Sequence, residues 1–314
     1  MHLLILGYSS IVRRRVLPAA RAVPAFTSIS LASRSSGATG PETGVSWYPD
    51  YDAALADSGA EIVYVSGINS EHAAWVTRAL ERGCHVVVDK PALPDVETTA
   101  AAVALARRRK VGLAEATVFT FHPQVATLRK LMEGAATSTI RATAVFSVPP
   151  LPASDFRYQG AFNGGSLSDL GPYAAAVNRL VFGASPSTVS CRVLTRTAEG
   201  LDTSFSVLMT HESGGSLAGH FGFVTSYQNR LSVLTDTRSV DVDRIFTSPP
   251  DAPATLRVRT ASGEQAVTAP AADAFAEFLS AFAAAVERRE FETFEAAICA
   301  DAALLARLRQ AAAA

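Results

Sequence analysis

The sequence predicts an α/β chain in two parts: a parallel sheet with helices on both faces over residues 1–118, and an α+β region over 119–314 built on a mainly antiparallel sheet. Up to about residue 118, short apolar runs alternate with helix-length segments, the pattern that buries a parallel sheet between helices. From about 140 to 259 the runs are short, β-branched and joined by turns such as Glu212-Ser213-Gly214-Gly215, which signals hairpins. A length of 314 residues exceeds one typical core and favours two domains.

Residues 3–6 form the first strand, and a basic helix follows through Ala22. Ser28–Ala32 reads as the second strand, 45–48 as a short third and Ile62–Val65 as the fourth, leading into a helix near 70–82. Residues 86–88, a helix over Val96–Arg109 and residues 111–114 complete the first part. In the second part, strand-like runs lie at 140–148, 188–197, 202–211, 216–224 and 231–235, with one helix, Ser166–Phe182, ahead of most of them. Apolar residues at helical spacing near 271–288 and 294–309 predict two closing core helices.

The turn after strand one reads Gly7-Tyr8-Ser9-Ser10-Ile11-Val12, with Ser9 and Val12 in place of the second and third glycines of a dinucleotide fingerprint. Alone, this match fits a plain strand–helix turn equally well. Ser9 is small enough for a pyrophosphate to approach, and the helix start at Ser10 and Ile11 offers N–H groups and a positive dipole end. Val12 should push the helix off the sheet. Strand two ends in Ser33-Arg34-Ser35, and no Asp or Glu lies between Val16 and Pro41. An NAD enzyme usually places an acid here for the ribose 2′-hydroxyl, whereas hydroxyls and a guanidinium suit a 2′-phosphate, so NADP(H) is the expected cofactor. After strand four, Ser66, Gly67, Ile68 and Asn69 are placed beside the nicotinamide half. Asn69 or Ser70 should cap the next helix, and His72 reads either as a packed helix residue or as part of the cofactor site.

Strand five runs into Asp89-Lys90-Pro91. A lysine at the carboxyl end of a strand points into the crevice where open α/β sheets bind ligands, and Pro91 makes a rigid exit. Asp-Lys-Pro in isolation also describes a solvated surface lysine after a strand–proline turn.

The ordered set of the degenerate glycine turn, Asn69-x-x-His72, Gly83-Cys84-His85-Val86 and Asp89-Lys90-Pro91 resembles the Gfo/Idh/MocA (glucose–fructose oxidoreductase / inositol dehydrogenase) family. The resemblance continues through Phe119-Thr120-Phe121-His122-Pro123-Gln124, through Gly164-Gly165-Ser166-Leu167-Ser168-Asp169-Leu170-Gly171-Pro172-Tyr173 and through Asp273-Ala274-Phe275. It implies a Rossmann dinucleotide-binding domain and a second domain with an open-faced sheet that pairs subunits as a homodimer or homotetramer. Phe156-Arg157, the tyrosine of the second-domain motif and Asp243-Arg244-Ile245-Phe246-Thr247 look most like the NADPH-dependent ketosugar reductases of deoxysugar pathways. The departures are Ser9, Val12, Ile68 where proline is common, and Asp89 where the family usually has glutamate.

Asp169 and Tyr173, four apart, share a helix face, and Gly164 and Gly165 before them would allow close approach to a ligand. With the resemblance, Tyr173 is expected to protonate a ketone oxygen, Lys90 to polarise it and steady the phenolate, and Asp169 to hold a sugar hydroxyl or orient Lys90. Phe119, His122 and Arg157 are placed with a sugar or nucleotide-sugar substrate, although His122 also fits a packing histidine and Arg157 a solvated loop arginine. The rival readings are an NAD-dependent dehydrogenase of a free sugar or cyclitol and a non-catalytic NADP-binding sensor.

A formal net charge of -1 gives no global pull toward nucleic acid or an acidic membrane. Three widely spaced cysteines form neither a disulfide framework nor a zinc site, and no run reaches the length of a membrane span. The sequence therefore reads as cytoplasmic, with no metal.

Overall fold

The computed structural model describes residues 1–34, 40 and 42–313. Two compact units emerge: Met1–Ala116 with Phe275–Cys299, and Thr117–Ala274 with Ala300–Ala314. The sequence reading had kept all of 119–314 together. Residues of 275–299 join the first unit for a packing reason. Phe291 and Phe282 sit over Gly112, where a Cβ would come within 2.6 Å of the Phe291 ring, and the buried Glu295 accepts from Arg107 Nε at 2.8 Å.

The first unit is built on six parallel strands: β1 (His2–Leu6), β2 (Ser28–Ala32), β3 (Ser46–Tyr48), β4 (Ile62–Val65), β5 (His85–Val88) and β6 (Leu113–Glu115), in the order β3-β2-β1-β4-β5-β6. This is the dinucleotide-binding order, in which the strand sequence reverses between β1 and β4. The central strands read as unbroken apolar runs because both faces are covered; every residue of β4 is buried.

Between the strands run α1 (Leu17–Ala22), α2 (Tyr51–Asp57), α3 (His72–Glu81) and α4 (Val96–Arg109). Helix α4 begins where predicted because Asp95 caps it, its side chain accepting from Thr98 N at 2.7 Å. It ends in three arginines, favourable at the negative end of the dipole, before Lys110 turns left-handed. The sequence reading did not anticipate α2, which is short and capped by Asp50.

The expected loosening at Val12 did not materialise. Residues Val12–Val16 form a π-helical turn, closed by Leu17 N–H to Val12 O, and Val12 is fully buried. The wider turn seats the extra side chain.

The second unit carries an eight-stranded sheet, β7 (Arg141–Ser147), β8 (Thr188–Arg196), β9 (Asp202–Thr210), β10 (Ser216–Gly222), β11 (Gln228–Leu234), β12 (Arg238–Asp243), β13 (Ala254–Thr260) and β14 (Gly263–Ala269), ordered β14-β13-β12-β11-β7-β10-β9-β8. All pairings are antiparallel except β7 with β10. Helix α5 (Pro123–Met132) and helix α6 (Ser166–Phe182) belong to this unit, and α6 buries most of its residues in the core beneath β7, β9 and β10. Helix α7 (Ala274–Arg288) and helix α8 (Glu292–Ala313) close the chain. The sequence reading named no helix at α5 and no strand at β12, β13 or β14, the last an edge strand of mostly exposed residues with no apolar alternation to reveal it. No described helix is long and apolar enough to cross a membrane.

Candidate functional site

The carboxyl ends of β1, β4 and β5 meet at Gly7, Ser66 and Asp89. Gly7 has φ +107°, its N–H donates to Ala32 O at 2.9 Å, and a Cβ there would sit 1.7 Å from Ser66 O. Glycine is therefore required by the protein's own backbone before any ligand arrives. Beyond it, Val12 N–H donates to Ser9 Oγ at 3.2 Å, the bond of a helix N-cap. Ser10 Oγ accepts from Arg14 Nη2 at 3.1 Å, and Ile11 is half-buried. The Cβ-free Gly7 and the helix start at Ser9, Ser10 and Ile11 fit a pyrophosphate, held by N–H groups and the positive dipole end.

Asp89 is anchored on both oxygens. Tyr64 Oη, on a fully buried residue of β4, donates to Oδ1 at 2.6 Å, and Ser66 Oγ donates to Oδ2 at 2.5 Å. Ser66 has one hydroxyl proton, so Ser9 must donate to Ser66 Oγ across their 3.1 Å contact. A directed chain thus runs from Val12 N–H through Ser9 and Ser66 to the residue before Lys90. His72, fully buried, reaches Pro91 O through Nδ1 at 3.0 Å and Gly67 O through Nε2 at 3.3 Å. It ties the loop after β4 to the exit of β5, so the packed reading of His72 describes its contacts. Lys90 itself is half-buried, next to these two anchors in sequence. Replacing Tyr64 by Phe should lower the unfolding free energy by about 2 kcal/mol, the scale of a buried hydrogen bond to a charged group. Urea denaturation measures it, and an unchanged midpoint and slope would show that the Tyr64–Asp89 bond contributes nothing.

At the end of β2, Ser33 is buried and its N–H donates to Tyr48 O at 3.1 Å; Ser35 lies outside the described residues. Arg34 is exposed, stacks over the Tyr51 ring at 5.0 Å and donates from Nη2 to Glu71 Oε2 at 2.7 Å. The acid missing from the local sequence is supplied in space by the loop after β4. In that loop, Ile68 and Asn69 are half-buried. No side-chain cap hydrogen bond closes the short 3₁₀ turn Asn69–Glu71 or α3 after it, contrary to the cap expected from Asn69 or Ser70.

In the second unit, α6 carries Asp169 in its first turn and Tyr173 one turn on. Pro172 lies inside this helix, in its second turn, where it withholds an N–H from the carbonyl four residues back. The Tyr173 ring is enclosed by Phe119, Phe146 and Phe246 at centroid distances of 5.7, 5.0 and 5.2 Å. Phe119 is 1% exposed and so packs against Tyr173 rather than offering a surface of its own. Asp169 Oδ2 accepts from Arg157 Nε at 2.8 Å, while Arg157 Nη1 donates to Asp155 at 3.2 Å and its guanidinium covers the Phe156 ring. His122 is buried and caps α5, its Nδ1 accepting from Gln124 N at 3.2 Å. Burial lowers its pKa, and the cap requires a neutral ring nitrogen.

The two glycines before α6 do not leave space for a ligand, as the sequence reading expected. A Cβ at Gly164 would meet three backbone carbonyls, those of Arg157, Gln159 and Phe156, within 2.9 Å, and one at Gly165 would meet Asp202. Asp202 instead caps α6, accepting from Ser166 Oγ and Leu167 N at 2.6 Å each.

Within the first unit the structure brings together Gly7, Ser9, Ser66, Asp89 and His72; within the second, Asp169, Arg157, Tyr173 and Phe119. Sequence reasoning missed Tyr64, Glu71, Asp155 and Phe246. Two of them left a trace: Tyr64 as a phenol inside an otherwise aliphatic strand, and Phe246 within the segment Asp243–Thr247 that carries part of the resemblance. Among the described residues, no group of three His, Cys, Asp or Glu is arranged to hold a metal ion.

Two family models match in order: the oxidoreductase family NAD-binding Rossmann fold over residues 1–117 and the GFO/IDH/MocA C-terminal domain over 125–241. A dTDP-3,4-didehydro-2,6-dideoxy-α-D-glucose 3-reductase of Streptomyces violaceoruber is 32% identical over 287 residues, covering 90% of this chain and 84% of the relative. A D-xylose 1-dehydrogenase (NADP+) of Haloferax volcanii is 31% identical over 291 residues, covering 91% and 89%. The crystal structure of a 3-ketoreductase from Actinomadura kijaniata, in complex with NADP and TDP-benzene, superposes with a TM-score of 0.91 at 27% identity, covering 99% of this chain and 98% of that one. A parallel sheet of dinucleotide-binding order, a second mostly antiparallel sheet and these chain-long similarities lead to one conclusion: the chain belongs to the Gfo/Idh/MocA family of NAD(P)-binding oxidoreductases.

Proposed function

We propose that the protein is an NADPH-dependent reductase acting on a ketone of a nucleotide-linked sugar of the keto-deoxysugar class. The observation that carries this reading is Lys90, an amine set at the carboxyl edge of the parallel sheet directly after the doubly anchored Asp89. The similarity to 3-reductases of dTDP-linked ketosugars supports the substrate class. Gly7, Ser9, Ser10 and Ile11 would hold the coenzyme pyrophosphate, Ser33 and Arg34 the 2′-phosphate, and Ser66, Ile68 and Asn69 the nicotinamide half. Bound NADPH would supply a hydride to the carbonyl carbon.

The chain's own groups handle the proton. Tyr173 gives its phenolic proton to the carbonyl oxygen. Lys90 donates a hydrogen bond to the same oxygen, and its charge favours the phenolate left behind. Asp169 fixes the Arg157 guanidinium, whose remaining N–H groups suit the pyrophosphate of a nucleotide sugar. The ring contacts with Phe119, Phe146 and Phe246 hold the Tyr173 ring in place. On the sheet's other face, Leu194, Leu208 and Leu234 are exposed, out of step with the buried residues of their strands. We assign that face to pairing of subunits in a homodimer or homotetramer.

A second reading, oxidation of a free aldose with NADP+, is favoured by the similarity to a xylose dehydrogenase. Steady-state assays separate the two. The expected result is NADPH consumption with a dTDP-linked keto-deoxysugar and little NADP+ reduction with D-xylose; the reverse ranking would establish the second reading.

A further inference from the structure

We propose that Glu71 sets the coenzyme preference, acting as a built-in competitor for the arginine that receives the 2′-phosphate. The inference rests on the reading that Arg34 binds that phosphate. Arg34 and Glu71 come from different loops, after β2 and β4, and meet through Nη2 and Oε2 at 2.7 Å. Glu71 is the more enclosed partner, its side chain 28% exposed against 55% for Arg34. Tyr51 holds the guanidinium from below, with 5.0 Å between the guanidinium carbon and the ring centroid, a cation–π contact that persists without the carboxylate.

The guanidinium is therefore positioned twice, and only one of its two supports opposes a phosphate. A 2′-phosphate carries up to two negative charges. To bond Arg34 it must either displace the Glu71 carboxylate from Nη2 or sit beside it, and like charges at such range repel. The 2′-hydroxyl of NAD(H) carries no charge and meets no such opposition. Glu71 thus lowers affinity for NADP(H) selectively and brings the two coenzymes closer together than a lone arginine would. Glu71 is a specificity-determining residue that acts through Arg34 and takes no part in proton transfer.

The test is direct titration of NADPH and NADH into the wild-type protein, E71Q and R34A, followed by coenzyme fluorescence. Glu71→Gln keeps the size of the side chain and one acceptor oxygen for Arg34, and removes the charge. NADPH should bind E71Q about two- to fivefold more tightly, the scale of one solvent-exposed ion pair, with NADH nearly unchanged. The gain should shrink as salt screens the charges. E71Q that binds NADPH equally or more weakly overturns the proposal, because Glu71 would then serve only to orient Arg34. R34A reports separately on the premise: it should weaken NADPH and spare NADH. If R34A binds NADPH as the wild type does, the assignment of Arg34 to the 2′-phosphate fails, whatever E71Q shows.

Discussion

Replacing Lys90 by Met should lower kcat by about 10²–10⁴-fold, the usual worth of a positioned proton-transfer group, while NADPH binding stays largely intact. Methionine keeps an unbranched stem of similar length and removes the ammonium. The local frame should survive the change. Asp89 is held by Tyr64 and Ser66, and His72 bonds the Pro91 carbonyl, so the exit of β5 has anchors besides the lysine side chain. Single-turnover kinetics with preformed NADPH complex measure the chemical step apart from binding. Turnover comparable to the wild type would remove Lys90 from the mechanism. A rate loss matched by an equal loss of NADPH affinity would make it a binding residue only.

Replacing Tyr173 by Phe should have an effect of the same order, about 10²–10⁴-fold in kcat. The ring lies against Phe119, Phe146 and Phe246, and a fourth phenylalanine fits that cluster without disturbing it. Stability should therefore stay within about 1 kcal/mol of the wild type, the scale of one hydrogen bond, which separates a missing proton donor from a damaged core. If Lys90 and Tyr173 act on one oxygen, the double variant should lose little more than the worse single variant, because groups that work as a unit are strongly non-additive. Full additivity of the two losses, or a Tyr173→Phe enzyme with undiminished kcat, would contradict a shared proton-transfer role.

Much of the fold was legible because burial writes directly into sequence. Ser28–Ala32 and Ile62–Val65 begin and end where the sequence places them, and helices lie at Val96–Arg109 and Ser166–Phe182, about where it places them. Two of these are strands of a sheet covered on both faces, and two are helices with clear end signals: Asp95 before α4, glycines on both sides of α6. Segments without those cues were lost. Helix α2 is only 7 residues long, and β14 lies at a sheet edge where its exposed residues carry no pattern. The β7–β10 pairing could not be read either, because hairpin-like runs do not state which strands become parallel neighbours.

The candidate site divides along the same line. Sequence by itself determined that a lysine would stand at the carboxyl edge of a parallel sheet, that a glycine would open the first turn, and that an acid and a tyrosine would share one helix face. Each follows from chain connectivity, since strand ends, tight turns and helical periodicity are local. Only tertiary structure decided the partners: Glu71 on Arg34, Arg157 on Asp169, Tyr64 on Asp89, Asp202 on the start of α6. These bonds join residues 12 to 37 positions apart. Their geometry is fixed by which strands lie side by side, and a hydrogen bond forms only where packing brings donor and acceptor within about 3 Å.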